Sequence, residues 1–446
     1  MEKEIEIARR SIRFALDHGA DKVRVNLTRN LTNLIGILNG EVDKVSSALD
    51  RSLSLAIFAD GKFGVFSTNR LEEAGLEHFI LQSIETVRML AKDPFRVLPD
   101  PDRKVKDAVT GTELGLYDPS YPELGTERRL ELALGSSIWT RKEQWEKGFT
   151  LISEEGEYSD SIFDSVIMDS EGLFARHRET TFDIGYETTV ETPAGERFSA
   201  YWWDCAPRLE EVLGAISGCS GKAVERAAAQ IGPRPHSGGK MNLVIDSECA
   251  SRLVKPILGA LGGHAIQQKN SFLVDKLGEK VFPENLTILD QPHVKGRSGS
   301  RLYDSEGVAT RPRAIIEKGV VKTYFISSYI AGKLGMDPTV EDFTRAVLLP
   351  VGGCKIREDV LAKAGEGILV TGFNGGNSSS TTGDFSFGIE GFWFKNGKIV
   401  HPVREMLITG NFITLWNNLF AAAEDVRPCM SNFIPTLAFS NVDFSG

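Results

Sequence analysis

Two carboxylates carry the first chemical possibility. Asp384 and Glu390 lie six residues apart in DFSFGIE, where Phe385, Phe387 and Ile389 alternate with less apolar neighbours. A strand there puts both acids on one face, and Glu405 follows on the next candidate strand. Such a pair can do acid–base work; it can equally form salt bridges or flank a groove. Just upstream runs Asn374-Gly375-Gly376-Asn377-Ser378-Ser379-Ser380-Thr381-Thr382-Gly383. Glycine lets backbone approach a ligand closely, and the hydroxyls can donate hydrogen bonds. Phosphate loops usually open a helix, whereas a strand follows here. The run is therefore expected to be a mobile polar loop. It either lines a peptide groove, with Asn377 among its contacts, or is only a long hairpin connection.

Standard catalytic patterns are missing. The chain has no H-E-x-x-H, no G-x-x-x-x-G-K-[ST] and no G-x-S-x-G. Ser237-Gly238-Gly239-Lys240 spells S-x-x-K, but a strand follows it and its companion motifs are absent. Besides His264, the histidines (His18, His78, His177, His236, His293, His401) form no cluster in sequence. Cys205, Cys219, Cys249, Cys354 and Cys429 are odd in number and widely spaced, the pattern of buried reduced thiols rather than a zinc site.

A net charge of −10 with no basic stretch argues against nucleic acid as a partner. No run of about 18 apolar residues occurs, so no membrane-spanning helix is expected. MEKEIEIARRSIRFALDHG reads as an amphipathic helix, not a signal peptide, and a cytoplasmic protein is expected.

The elements that must position these residues read as an α+β protein. Ile5, Ala8, Ile12 and Leu16 repeat at helix spacing. Strands start at Lys22, Leu34 and Arg51, with a hairpin turn at Asp60-Gly61, and a helix covers about 71–92. A proline-rich connector occupies 94–124. A helix over about 126–145, two strands around Ser170-Glu171-Gly172 and a helix over 209–229 follow. The break at IGPRPHSGGK sets the expected boundary. Residues 1–232 form an N-terminal α/β domain with a mixed sheet and long helices; residues 233–446 form a β-rich domain with few helices. In the latter a strand starts at Met241, a helix covers about 247–268, and Asn396-Gly397 turns a hairpin.

Four stretches carry a resemblance: SFLVDKLGEKV from Ser271, DSEGVATRPRAIIEKGVV from Asp304, TTGDFSFGIEGFWFKNGKIV from Thr381 and ITGNF from Ile408. Together they resemble the TldD/PmbA family, also labelled modulators of DNA gyrase, over nearly the whole chain. The TldD branch carries H-E-x-x-x-H on a helix, where two histidines hold zinc and the glutamate can activate water. Counting back from Ser271, this chain reads Gly259-Ala260-Leu261-Gly262-Gly263-His264. Only the last histidine remains, and one imidazole does not make a zinc site.

The chain thus resembles the PmbA branch, also called TldE. The resemblance implies a non-catalytic subunit that shapes the substrate cavity of a zinc metalloprotease complex acting on flexible peptides. It implies no catalytic residue and no metal in this chain, with zinc in a TldD-like partner. His264, Asn377, Asp384 and Glu390 are then the candidate substrate contacts. The chain would work in a hetero-oligomer with that partner or as a homodimer. Two alternatives stay open: an autonomous hydrolase of unrecognised mechanism, and a regulatory protein that binds DNA gyrase.

Overall fold

The computed structural model describes residues 1–446, which divide into two units. The first comprises Met1–Ala228 and His293–Thr310; the second comprises Ala229–Pro292 and Arg311–Gly446. Residues 293–310, which sequence order alone assigns to the second half, therefore pack with the first. No helix is long and apolar enough to cross a membrane.

In order, the first unit contains α1 (Glu2–Asp17), β1 (Lys22–Leu38), β2 (Glu41–Ala59), β3 (Lys62–Thr68), α2 (Glu73–Met89), α3 (Thr126–Gly135), β4 (Thr150–Asp169), β5 (Phe174–Glu191), β6 (Arg197–Ala206), α4 (Leu209–Ile216) and α5 (Cys219–Ala228). Its sheet runs β3-β2-β1-β4-β5-β6. Every neighbouring pair is antiparallel, so the sheet is not mixed. The reason is local: tight hairpins join β1 to β2, β2 to β3 and β4 to β5, and a hairpin can only pair strands antiparallel. Asp60 and Gly61 both have positive φ, as the expected two-residue turn requires.

Strands of 17 to 20 residues are longer than one helical layer can cover. Two layers therefore share one face. Near one end α1 and α2 bury Val23, Val25, Leu27, Val166 and Met168. Near the other, α3, α4 and α5 bury Ile35, Ile37, Tyr158, Phe182, Ile184 and Tyr186. The helix expected over 209–229 is broken between α4 and α5 at Ser217 and Gly218. The opposite face is covered in part by the proline-rich connector and by residues 302–309, through Val105, Ala108, Leu302, Tyr303 and Ala309.

Buried charge holds the second helical layer in register. Asp160, with no exposed surface, takes two hydrogen bonds from Arg129, at 2.6 and 3.0 Å, and one from Asn33 at 2.9 Å. Glu154, equally buried, accepts from the Ile138 amide at 2.8 Å and the Ser220 hydroxyl at 2.5 Å, tying β4 to α5.

The second unit contains β7 (Gly239–Ile245), α6 (Ser247–Ala260), α7 (Gly263–Gln267), β8 (Ile288–Asp290), β9 (Arg313–Glu317), β10 (Val320–Val321), α8 (Ser328–Leu334), β11 (Ala346–Leu348), α9 (Arg357–Ala364), β12 (Glu366–Ser378), β13 (Asp384–Lys395), β14 (Lys398–Asn411), α10 (Phe412–Asn417), β15 (Leu419–Ala422) and β16 (Leu437–Ser445). Its main sheet runs β14-β13-β12-β7-β16-β15, and β14 also pairs with β16, so five strands close on themselves. Only β7 and β12 pair in parallel, which makes this the mixed sheet of the molecule.

The glycine-rich run is not the mobile loop expected. Residues up to Ser378 belong to β12, with Gly376 opposite Phe387 and Asn377 opposite Ser386. The connection to β13 is the short turn Ser379–Gly383, closed by the Gly383 amide on the Ser379 carbonyl at 2.9 Å. Backbone pairing with the phenylalanine-rich strand outweighs the low strand preference of glycine.

Removing the carboxylate of Asp160 leaves the Arg129 guanidinium, mostly buried, with the Leu124 carbonyl but no anionic partner. Asp160→Ala is expected to cost about 3–5 kcal/mol of stability, read from urea unfolding. A loss below about 1 kcal/mol would show that the pair does not organise this layer.

Candidate functional site

Helix α6 starts at Asp246, whose carboxylate accepts from the Glu248 amide at 3.1 Å and pairs with Arg357 at 2.9 Å. The sequence pattern predicts one helix over about 247–268; in the structure the helix ends at Ala260 and restarts at Gly263. At the break the Gly263 amide donates to the Phe325 carbonyl at 2.8 Å, and a β-carbon on Gly263 would lie 2.7 Å from that oxygen. The break therefore requires glycine. It separates position 259 from His264, which sits exposed in the first turn of α7. Nowhere do three His, Cys, Asp or Glu side chains converge to hold a metal ion. Zinc chemistry does not fit this donor set, and no step is assigned to it.

The segment after α7 is fixed by backbone groups. The Ser271 hydroxyl donates to the Ala260 carbonyl at 2.6 Å, and the Tyr324 hydroxyl donates to the Leu273 carbonyl while accepting from the Lys276 amide at 2.8 Å. The β12–β13 turn docks on this segment. The Phe272 amide donates to the Ser380 carbonyl at 2.9 Å, and Ser380 and Thr381 both donate to the Asn270 side chain.

Asp384 has a structural task in this turn. Its carboxylate accepts from the Asn411 amide nitrogen at 2.9 Å and the Thr382 hydroxyl at 2.7 Å, and these bonds hold it below the usual carboxylate range. Asn411 also caps α10 through the Ile413 amide at 3.0 Å. Sequence reasoning missed Asn270 and Asn411, because only the fold brings them to the turn. The DFSF pattern is otherwise explained by packing: Phe385 and Phe387 stack at 5.3 Å between ring centres and are buried.

His264, Asn377 and Glu390 make no side-chain hydrogen bond or ion pair within the chain, and all three are exposed. Asn377 and Glu390 share a solvent-facing surface of β12–β14 with Asp384, Ser386, Leu407 and Thr409. Six residues of strand place Asp384 and Glu390 roughly 20 Å apart, beyond the reach of a concerted carboxylate pair. Glu390 lies between two irregularities, at Val370/Gly372 on one neighbour and at Arg404 and Glu405 on the other. Glu405 has φ of 56°, a conformation that non-glycine residues seldom adopt. Bulges concentrate beside binding sites, where they re-aim side chains.

Three family profiles match in order: the PmbA/TldA metallopeptidase domain 1 over residues 23–87, the central domain over 124–231 and the C-terminal domain over 238–446. A solved structure from Bacteroides thetaiotaomicron, named a candidate modulator of DNA gyrase, superimposes with a TM-score of 0.94 at 38% identity, covering 100% of this chain and 99% of that one. This chain belongs to the PmbA/TldD family. Metalloprotease PmbA of Escherichia coli O157:H7 is 26% identical over 408 residues, 92% of this chain and 88% of that protein. TldE from Thermococcus kodakarensis shares the fold, with a TM-score of 0.82 at 20% identity over 99% of this chain and 100% of that one. Relatives across the family are named metalloproteases.

In the first unit one carboxyl is shifted upward, against the downward shifts of Glu4, Glu113, Asp118, Glu171 and Glu179. Burial pushes Asp183 up to about 6; the Cys205 hydrogen bond opposes this and the neighbouring Glu157 adds to it. Its folded pKa is raised, so the stability it contributes is full below about pH 4 and is lost as the pH rises through about 6. Asp183→Asn should raise Tm by a few degrees at about pH 7.5 and leave it unchanged near pH 4. An equal change at both pH values would contradict the assignment.

The roles within the turn are separable by hydrogen exchange. Asp384→Ala should speed exchange at the Gly383 and Phe412 amides, which belong to the network it anchors. Glu390→Ala should leave both unchanged, because Glu390 holds nothing in place.

Proposed function

We propose that this chain is the non-catalytic, substrate-cavity subunit of a two-protein zinc metalloprotease of the TldD/TldE type, acting on flexible peptides. One observation carries the reading. The helix that would hold both histidines and the glutamate presents Gly259 and Ala260 at two of those positions, and it breaks before the surviving His264. Zinc and the water-activating glutamate are then supplied by a TldD-like partner. The names of the relatives support a two-branch family: one solved relative is a TldE, and a Buchnera aphidicola relative is named a TldD homolog.

Two surfaces support peptide handling. The Glu41–Arg51 half of β2 is exposed, and β3 pairs only with Leu53–Ala59, which leaves a strand edge open. Open edges accept extended peptides through backbone hydrogen bonds, independent of side-chain sequence. The second is the β12–β14 face with Asn377, Asp384 and Glu390, where the unbonded side chains of Asn377 and Glu390 share a surface with exposed Leu407. His264 contributes a further polar contact at the start of α7.

Cleavage of casein by the isolated chain, by a TldD-type partner and by their mixture tests this. Full activity is expected only in the mixture, and it should be lost on chelation. Glu390→Ala in this chain should weaken cleavage several-fold without loss of complex. Robust, chelator-resistant cleavage by the single chain would overturn the proposal and favour an autonomous hydrolase.

A further inference from the structure

Between the start of α1 and connector residues 117–122, the sheet face of the first unit holds a cavity of about 350 Å³. Its floor is a charged row across four strands: Arg51 lies opposite Arg29, Arg29 opposite Asp164, and Asp164 opposite Arg178. Directly opposed like charges destabilise a sheet. Arg51 has Glu4 within 3.7 Å. Both oxygens of Asp164 are taken by Arg176, at 2.9 and 2.7 Å, and Arg176 also binds Glu2 at 3.0 Å. Arg178 lies 3.7 Å over the Tyr117 ring; its buried Nε makes no hydrogen bond and lies 3.7 Å from the Asp164 carboxylate that Arg176 already occupies. The Arg29 side chain has no hydrogen bond and no ion pair. Three guanidinium groups thus line the cavity against two carboxylates, and one positive charge is unanswered.

The remaining walls are apolar or aromatic: Leu31, Tyr121, Pro122 and Ile162. The volume is at the lower end of the range for small-molecule sites, and few polar groups on an apolar wall is their usual composition. A planar guanidinium in such a wall binds carboxylate in forked geometry. One uncommitted charge suits a monoanion rather than a phosphate dianion.

We propose that this cavity is a binding site for a small organic carboxylate with an apolar or aromatic body, held by Arg29 and Arg178 and sandwiched by Tyr117 and Tyr121. A free acid and the C-terminus of a short peptide share that chemistry. The inference rests on residues of the first unit and is independent of the protease reading.

Calorimetric titration of the whole chain with N-acetylphenylalanine, N-acetylphenylalaninamide, N-acetylglycylphenylalanine and inorganic phosphate tests it. The single acid should bind at least about tenfold more tightly than its amide and than phosphate, and should weaken with added salt. The dipeptide acid binding as well as the single acid identifies peptide C-termini as a source; its exclusion identifies free acids. Arg29→Met should lose about tenfold or more in affinity while Tm stays level or rises, because no internal partner is lost. Arg29→Lys should retain part of the binding. No binding of either acid, equal binding of acid and amide, tighter binding of phosphate, or an Arg29→Met variant that binds like the parent would each overturn the site.

Discussion

Strict alternation along very long strands is the constraint on which this molecule depends. Side chains on a strand point to opposite faces with a period of two, so a choice made at one residue holds for every second residue after it. In β1 that parity carries Val23, Val25 and Leu27 into one hydrophobic layer and, further along the same strand, Ile35 into another. Between them the same face carries charged side chains, Arg29 on β1, Asp164 on β4 and Arg176 and Arg178 on β5, beside the apolar Leu31 and Ile162. In the second unit the same rule sends Phe385, Phe387 and Ile389 inward and presents Asp384, Ser386 and Glu390 to solvent.

Function is then decided by what stands at a few interruptions. Gly263 allows the close approach of the Phe325 carbonyl and ends the helix that a zinc pair would need to span. The bulges beside Glu390 break the regular ladder on both of its flanks, and they leave that carboxylate without an internal partner. By contrast Asp384, the most conspicuous acid in the motif, is consumed by the turn it stabilises. A family motif can thus be retained for its architecture, with its acid spent on holding a turn.

Much of this was legible in the residues, and the failures have physical causes. The α+β class, the turns at Asp60-Gly61 and Asn396-Gly397, and the absence of ligand atoms at Gly259 and Ala260 follow from local sequence. The stretch Arg29-Asn30-Leu31-Thr32-Asn33 interrupts the apolar pattern, so β1 reads as two strands although it is one; its neighbours supply the pairing that its own sequence does not. Residues 374–378 read as loop for a related reason, since glycine and serine have little strand preference until β13 pairs with them. The row from Arg51 to Arg178 could not be read at all, because register between distant strands brings it together. Nor could the attachment of residues 293–310 to the first unit, which depends on packing of Leu302, Tyr303 and Ala309.

On the proposed reading, catalytic metal belongs to the partner and not to this chain. Elemental analysis for zinc, on the chain purified alone without chelators and on its complex with a TldD-type subunit, tests this. No stoichiometric zinc is expected in the isolated chain, and one zinc per heterodimer in the complex. One tightly held zinc in the isolated chain, lost together with proteolytic activity on substitution of His264, would contradict it.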